Sequence, residues 1–176
     1  MENYMNTFFM VFLVTILISN PPQPTRAAGE SLIPTACQNV EKKGFCNAML
    51  ESDPNSNNAD LPGLGLIALK QAASNASDIA EYAKTLSNDP NLKEGAAKCL
   101  QLYLETADKI NDSVASAKSK AHTDVNAGLN AAITNSKSCD AALAGHECEL
   151  SGKNEVFRWL CENALGVNKA VMDGKN

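Results

Sequence analysis

The chain has 176 residues, 44% of them hydrophobic and 5% aromatic, with 20 acidic against 15 basic side chains, a formal charge of −5 and a pI near 5.0. That length suits one ordinary domain, and the acidic balance supplies no basic stripe to neutralise phosphates, which disfavours a nucleic-acid partner. His122 and His146 are too isolated to form an H-x-x-x-H zinc pair, no C-x-x-C pair is present, and no phosphate loop, dinucleotide turn or nucleophile elbow appears. Neither a metal, nor a cofactor, nor an enzyme of the common motif-bearing classes is expected.

The first element is apolar. Phe8 to Ser19 is shorter than the ~20 residues a membrane-crossing helix needs, and Asn20-Pro21-Pro22-Gln23-Pro24 stops any helix after it. Small residues for cleavage follow at Ala27 and Ala28, so residues 1–28 are expected to be a secretory signal peptide. Its entry region departs from the usual pattern, with Glu2 and no Lys or Arg; a buried helix opening a cytosolic domain is the competing reading. Cleavage removes one acid, Glu2, and one base, Arg26, which keeps the charge at −5. No later stretch is apolar enough for a membrane anchor, and secretion is the expected fate.

Residues 29–59 are expected to form an N-terminal helical hairpin and linker. Two short helix-like pieces are broken at Lys42-Lys43-Gly44, and the nine-residue spacing of Cys37 and Cys46 suits a hairpin clipped by one disulfide. Residues 60–176 are expected to form a four-helix bundle, because apolar residues recur at alternating threes and fours. The first stripe is Leu69, Ala72, Ala76, Ile79, Ala83 and Leu86, with Asp60 as N-cap and Pro62 tolerated in the first turn. Ala96, Leu100, Tyr103, Ala107, Ile110, Val114 and Ala117 form the second, where Asn91 and Glu94 have capping-box spacing.

The third stripe is Val125, Leu129, Ala132, Ser136, Cys139 and Leu143, interrupted by Gly128, and the fourth is Phe157, Leu160, Ala164, Val167 and Val171. Short polar connections make such helices antiparallel neighbours, giving an all-α, up-down-up-down bundle. Alanine-rich seams bury little area per residue, so covalent staples matter, and they leave small room for an internal ligand cavity. Cys37, Cys46, Cys99, Cys139, Cys148 and Cys161 form an even set, for which the sequence alone leaves fifteen full pairings open.

These features together resemble the plant invertase and pectin methylesterase inhibitor family over nearly the whole chain after residue 28. The matching residues are Cys37 and Cys46 around the hairpin; Leu50-Glu51-Ser52-Asp53-Pro54-Asn55-Ser56; Ala59-Asp60-Leu61-Pro62-Gly63-Leu64-Gly65; Lys98-Cys99-Leu100-Gln101-Leu102-Tyr103; and Ser138-Cys139-Asp140. The Asp-Pro to Leu-Gly run is also similar to pollen allergens named as invertase inhibitors. The resemblance implies bridges Cys37 to Cys46 and Cys99 to Cys139, and antiparallel second and third long helices agree with the latter. Cys148 and Cys161 fall outside this set; a third bridge between them is weighed against free thiols and slightly favoured, Cys161 being also an ordinary small core residue.

By the same resemblance the chain is a secreted inhibitor that covers the cleft of a pectin methylesterase, in a 1:1 complex, with a face built from the second to fourth long helices. Acid invertase is the alternative target, and the apoplast the expected location, with the vacuole as alternative. On that face Glu105, Asp108 and Asp112 form an acidic ridge at helical spacing, and Ser138 replaces a common threonine; a plain solvated helix face competes with this reading. Ser119 to Asp124 lacks the Pro-Lys-Phe segment common in invertase-directed members, which favours pectin methylesterase. Asn75 and Asn111 head glycosylation sequons, and Trp159 reads as a packing residue before an interface anchor. A carrier of an apolar ligand, or a pollen-surface protein with no enzyme target, is the reading from a different class.

Overall fold

The structure, a computed structural model, describes residues 31–146 and 148–174; the expected signal peptide lies outside the described residues. The described residues form six helices and no strand: α1 (Ile33–Ala36), α2 (Lys43–Glu51), α3 (Leu61–Leu86), α4 (Lys93–Lys118), α5 (His122–Ala142) and α6 (Leu150–Met172), with a 3-10 turn at Ser56–Asn58. The four long helices close a bundle in which α3 and α5 each pack against both α4 and α6.

Local chemistry sets the ends of these helices. Asp60 is extended and accepts a hydrogen bond from the Gly63 N–H at 2.8 Å, as expected of an N-cap, while Pro62 occupies the first turn. The capping box expected before α4 does not form. That helix begins one residue later than the box requires, with Leu92 as N-cap, and the Asn91 N–H donates instead to Asp89 Oδ1 at 2.9 Å.

Burial follows the stripes unevenly. All six positions of the third stripe are buried, five on α5 and Leu143 as its C-cap. On α4 the seam is rotated: the buried positions are Ala96, Cys99, Tyr103, Thr106, Ile110 and Ser113, while Ala107 and Val114 lie at its margin. Thr106 and Ser113 tolerate burial because their hydroxyls donate to the Leu102 and Lys109 carbonyls at 2.7 and 2.9 Å. The second of these residues faces Gly128, where an added Cβ would fall 2.1 Å from Ser113 Oγ; the glycine that interrupts the stripe is what lets α4 and α5 approach.

α6 is buried on more than one side, for the hairpin covers its outer surface. α1 and α2 contact both α3 and α6. Val40 enters a notch at Gly166, Trp159 meets Phe45 edge to face at 5.6 Å, and Lys42 Nζ lies 4.5 Å above the Trp159 ring. Trp159 therefore packs the hairpin onto the bundle. Gln71 ties the same hairpin to α3, donating to the Met49 carbonyl at 2.8 Å.

The two bridges are Cys37 to Cys46 and Cys99 to Cys139, with Cα separations of 5.8 and 4.7 Å. The third does not form: Cys148 is a half-buried thiol and Cys161 a fully buried one. The reason is the start of α6. Ser151-Gly152-Lys153, whose glycine has low helix preference, is helical, so Cys161 lies eleven helical rises, roughly 16 Å, along the axis from Leu150. That exceeds the ~7 Å limit on Cα separation for a disulfide.

Candidate functional surface

Among the described residues no cluster of three or more His, Cys, Asp or Glu side chains could hold a metal ion. The candidate site is a surface, and it is built on α4. The seam Cys99–Tyr103–Thr106–Ile110 faces the core, which turns Glu105, Asp108 and Asp112 outward; all three are exposed. Glu105 pairs with Lys109 at 3.5 Å along its own helix, whereas Asp108 and Asp112 have no basic partner within 4.0 Å among the described residues. Leu104, 53% exposed, adds an apolar patch on the same side. The ridge is thus a line of charge whose Asp108–Asp112 half is uncompensated.

Ser138 does not join this ridge. It is half-buried on α5 and donates its hydroxyl back to the Thr134 carbonyl at 3.0 Å, next to the Cys99–Cys139 bridge. Cys99 lies six residues, roughly 9 Å along the α4 axis, from Glu105. The structure therefore places Ser138 beyond the Glu105 end of the acids. Of the sequon residues, Asn111 is exposed on α4 beside Asp112, while Asn75 is half-buried on α3 and its Oδ1 is enclosed without a hydrogen-bond partner.

The bracing beneath this surface escaped the sequence reading. Arg158 on α6 donates to Asp140 Oδ2 at 2.6 Å and to Ser136 Oγ at 3.1 Å, and Asn154 Nδ2 donates to Asp140 Oδ1 at 2.5 Å. The Tyr103 hydroxyl donates to Asn154 Oδ1 at 2.8 Å, and its ring meets Phe157 edge to face at 5.2 Å. Burial pushes the Tyr103 phenol above its ordinary range, so it stays a neutral donor. Polar residues at buried spacing, Ser136 and Asn154 beside the Ser-Cys-Asp run, are the signal that marks this network in the sequence. Its effect is to lock α4, α5 and α6 together at the bridged end.

A second brace closes α3 against α6. The Tyr82 hydroxyl donates to Glu149 Oε2 at 3.2 Å, Lys153 Nζ contacts Glu149 at 3.0 Å, and the same ammonium lies 4.8 Å above the Tyr82 ring. The Lys153 hydrogen bond holds the Glu149 carboxyl below its ordinary range. Glu149 is exposed and Lys153 only half-buried, and such a pair contributes little to stability.

A family profile described as plant invertase/pectin methylesterase inhibitor matches residues 31–167. The chain is 29% identical to a Platanus orientalis protein named "Putative invertase inhibitor" over 72% of this chain and 78% of that one. It is 27% identical to a pectinesterase inhibitor of Actinidia deliciosa over 97% and 96%, and 27% identical to pectinesterase inhibitor 2 of Arabidopsis thaliana over 79% and 83%. The fold matches the crystal structure of a mutant form of a pectin methylesterase inhibitor from Arabidopsis, with a TM-score of 0.68 at 18% identity, over 79% of this chain and 96% of that one.

Proposed function

We propose that this chain, which belongs to the plant invertase/pectin methylesterase inhibitor family, inhibits a pectin methylesterase of the plant cell wall by binding it 1:1 and covering its active-site cleft. Membership itself makes the protein an inhibitor type and not an enzyme. In the proposed organisation residues 1–28 are a signal peptide removed on secretion to the apoplast, and 29–176 are one inhibitor domain, hairpin followed by bundle.

The observation that carries the choice of surface is the exposed ridge on α4, where Asp108 and Asp112 are left without basic partners and the exposed Leu104 stands at the Glu105 end. Uncompensated acids steer a basic partner into register, and an apolar residue beside them supplies desolvated contact once it has docked. Ser138 and its neighbours on α5 extend the proposed face towards the bridged end. The brace of Asp140, Asn154 and Arg158 keeps that face rigid, which lowers the entropic cost of binding.

Invertase is the second reading, favoured by the Platanus relative at 29% identity. Against it stands Ser119 to Asp124, which lacks the Pro-Lys-Phe segment and here forms the turn between α4 and α5 and the first residues of α5. Titrating the purified protein into separate pectin methylesterase and acid invertase assays decides between them. The expected result is a linear loss of pectin methylesterase activity reaching its end point at one equivalent, with invertase unaffected; the reverse pattern transfers the proposal to invertase, and no effect on either sinks both.

A further inference from the structure

At the end of the bundle where α4 turns into α5 a cleft of about 420 Å³ opens. Leu66, Leu69 and Val171 line its apolar part, and Lys118, Lys120 and His122 line its polar part. Leu66 is half-buried and stands outside the contiguous core, so its side chain serves the cleft rather than the fold. No carboxylate lines the cleft among the described residues, and neither lysine has a carboxylate within 4.0 Å there. In a chain of net charge −5, an apolar hollow bordered by two lysines has a charge opposite to that of the chain as a whole.

Two features hold the polar groups in place. Lys120 has φ 61°, the left-handed region in which glycine is the default, and it occupies the position after a helix C-cap. The other is Asn168, 5% exposed. Its Nδ2 donates both to the His122 carbonyl at 3.1 Å and to Asn126 Oδ1 at 2.9 Å, which fixes its Oδ1 as the acceptor facing His122 Nδ1 at 2.8 Å. His122 Nδ1 must then carry the hydrogen, which leaves Nε2 of the neutral ring a lone-pair acceptor, so the donors open to an anion are the two lysine ammonium groups.

We propose that this cleft binds a small carboxylate with an apolar body, of the class of a medium-chain fatty acid. Its volume is within the range of small-molecule sites. The apolar body is desolvated against Leu66, Leu69 and Val171, and the carboxylate is met by Lys118 and Lys120 at the mouth. This site is independent of the ridge on α4 and does not rest on the choice of target enzyme.

The probe is 8-anilinonaphthalene-1-sulfonate, an anion with an apolar body, titrated into the full folded protein and then displaced. Decanoate is expected to displace it at concentrations at least ten-fold lower than decyltrimethylammonium, which has the same chain and the opposite charge. Leu66→Asp and the double variant Lys118→Gln, Lys120→Gln are each expected to weaken decanoate at least five-fold, with thermal melts confirming folding. Amide shifts in 15N-labelled protein should cluster at residues 62–69, 117–122 and 168–174. Equal displacement by the cation, affinity untouched by both variants, or absence of probe binding and of shifts at millimolar decanoate would each overturn the proposal.

Discussion

At position 120 the backbone closes α4 in the manner of a helix ending in glycine, yet the residue is lysine. The Lys120 N–H donates to the Ala117 carbonyl and the Ala121 N–H to the Ser116 carbonyl, at 3.1 and 2.8 Å, a pair of bonds that forces the intervening residue left-handed. A Cβ in that conformation costs roughly 1 kcal/mol. Lys120→Gly should therefore raise stability by up to ~1 kcal/mol, offset in part by the freer unfolded chain, and a denaturant midpoint that falls would show the strain is absent. The two free thiols give a second residue-scale test. Burial pushes the Cys161 thiol above its ordinary range, while Cys148 is half-exposed. Iodoacetamide on the native protein should label Cys148 alone, and denaturation without reduction should expose two thiols per chain. The raised Cys161 thiol leaves stability unchanged below the ordinary thiol range and lowers it as pH rises through that range, where the unfolded chain ionises and the folded one does not. In the sequence a Cys148–Cys161 bridge follows from the even cysteine count, the exposure expected of a lone Cys148 thiol and a spacing of only thirteen residues; Ser151-Gly152-Lys153 instead continues the helix from Leu150 and carries Cys161 away.

At the scale of elements, legibility followed the simplicity of the seam. α5 could be read position by position because its inward residues are apolar or small and evenly spaced, from Val125 to Leu143. α4 misleads because Thr106 and Ser113 hide their hydroxyls in the helix's own carbonyls and go inside, displacing Ala107 and Val114, which look more apolar. A period computed from hydrophobicity cannot register that exchange. The hairpin's docking was invisible for another reason: it depends on the absence of a side chain. A Cβ at Gly166 would meet Val40 Cγ1 at 2.2 Å. Gly166→Ala should loosen the hairpin, costing about 1–3 kcal/mol as overpacking does, and Val40→Ala in the same chain should restore most of it. Hydrogen exchange of α2 amides reads the effect locally: faster exchange in the single variant and recovery in the double one. Equal loss in the double variant would mean Gly166 serves α6 itself and not the docking of the hairpin.

For the whole molecule, the acidic balance that disfavours a nucleic-acid partner becomes an argument about association. A surface with net charge −5 attracts a basic protein weakly from every side, and only local uncompensated charge orients the encounter. On α4 the three acids are unequal in that respect. Glu105 shares its charge with Lys109 at 3.5 Å, whereas Asp108 and Asp112 have no such neighbour among the described residues. If the α4 face docks on a basic enzyme, Asp108→Lys should slow association more than Glu105→Lys, by about three- to ten-fold at low salt. The gap should close as added salt shortens the screening length to ~8 Å at physiological strength. Dissociation should change far less, since exposed charge acts mainly on encounter. The acids are all exposed and outside the seam, so the variants should fold with unaltered melts. Stopped-flow association with a basic pectin methylesterase, at several salt concentrations, separates the possibilities. A slower encounter for Asp108→Lys that recovers with salt supports the ridge as the steering element. Identical rates for a folded Glu105→Lys, Asp108→Lys, Asp112→Lys triple variant would return these acids to the ordinary solvated face of a helix and move the search for the interface to α5.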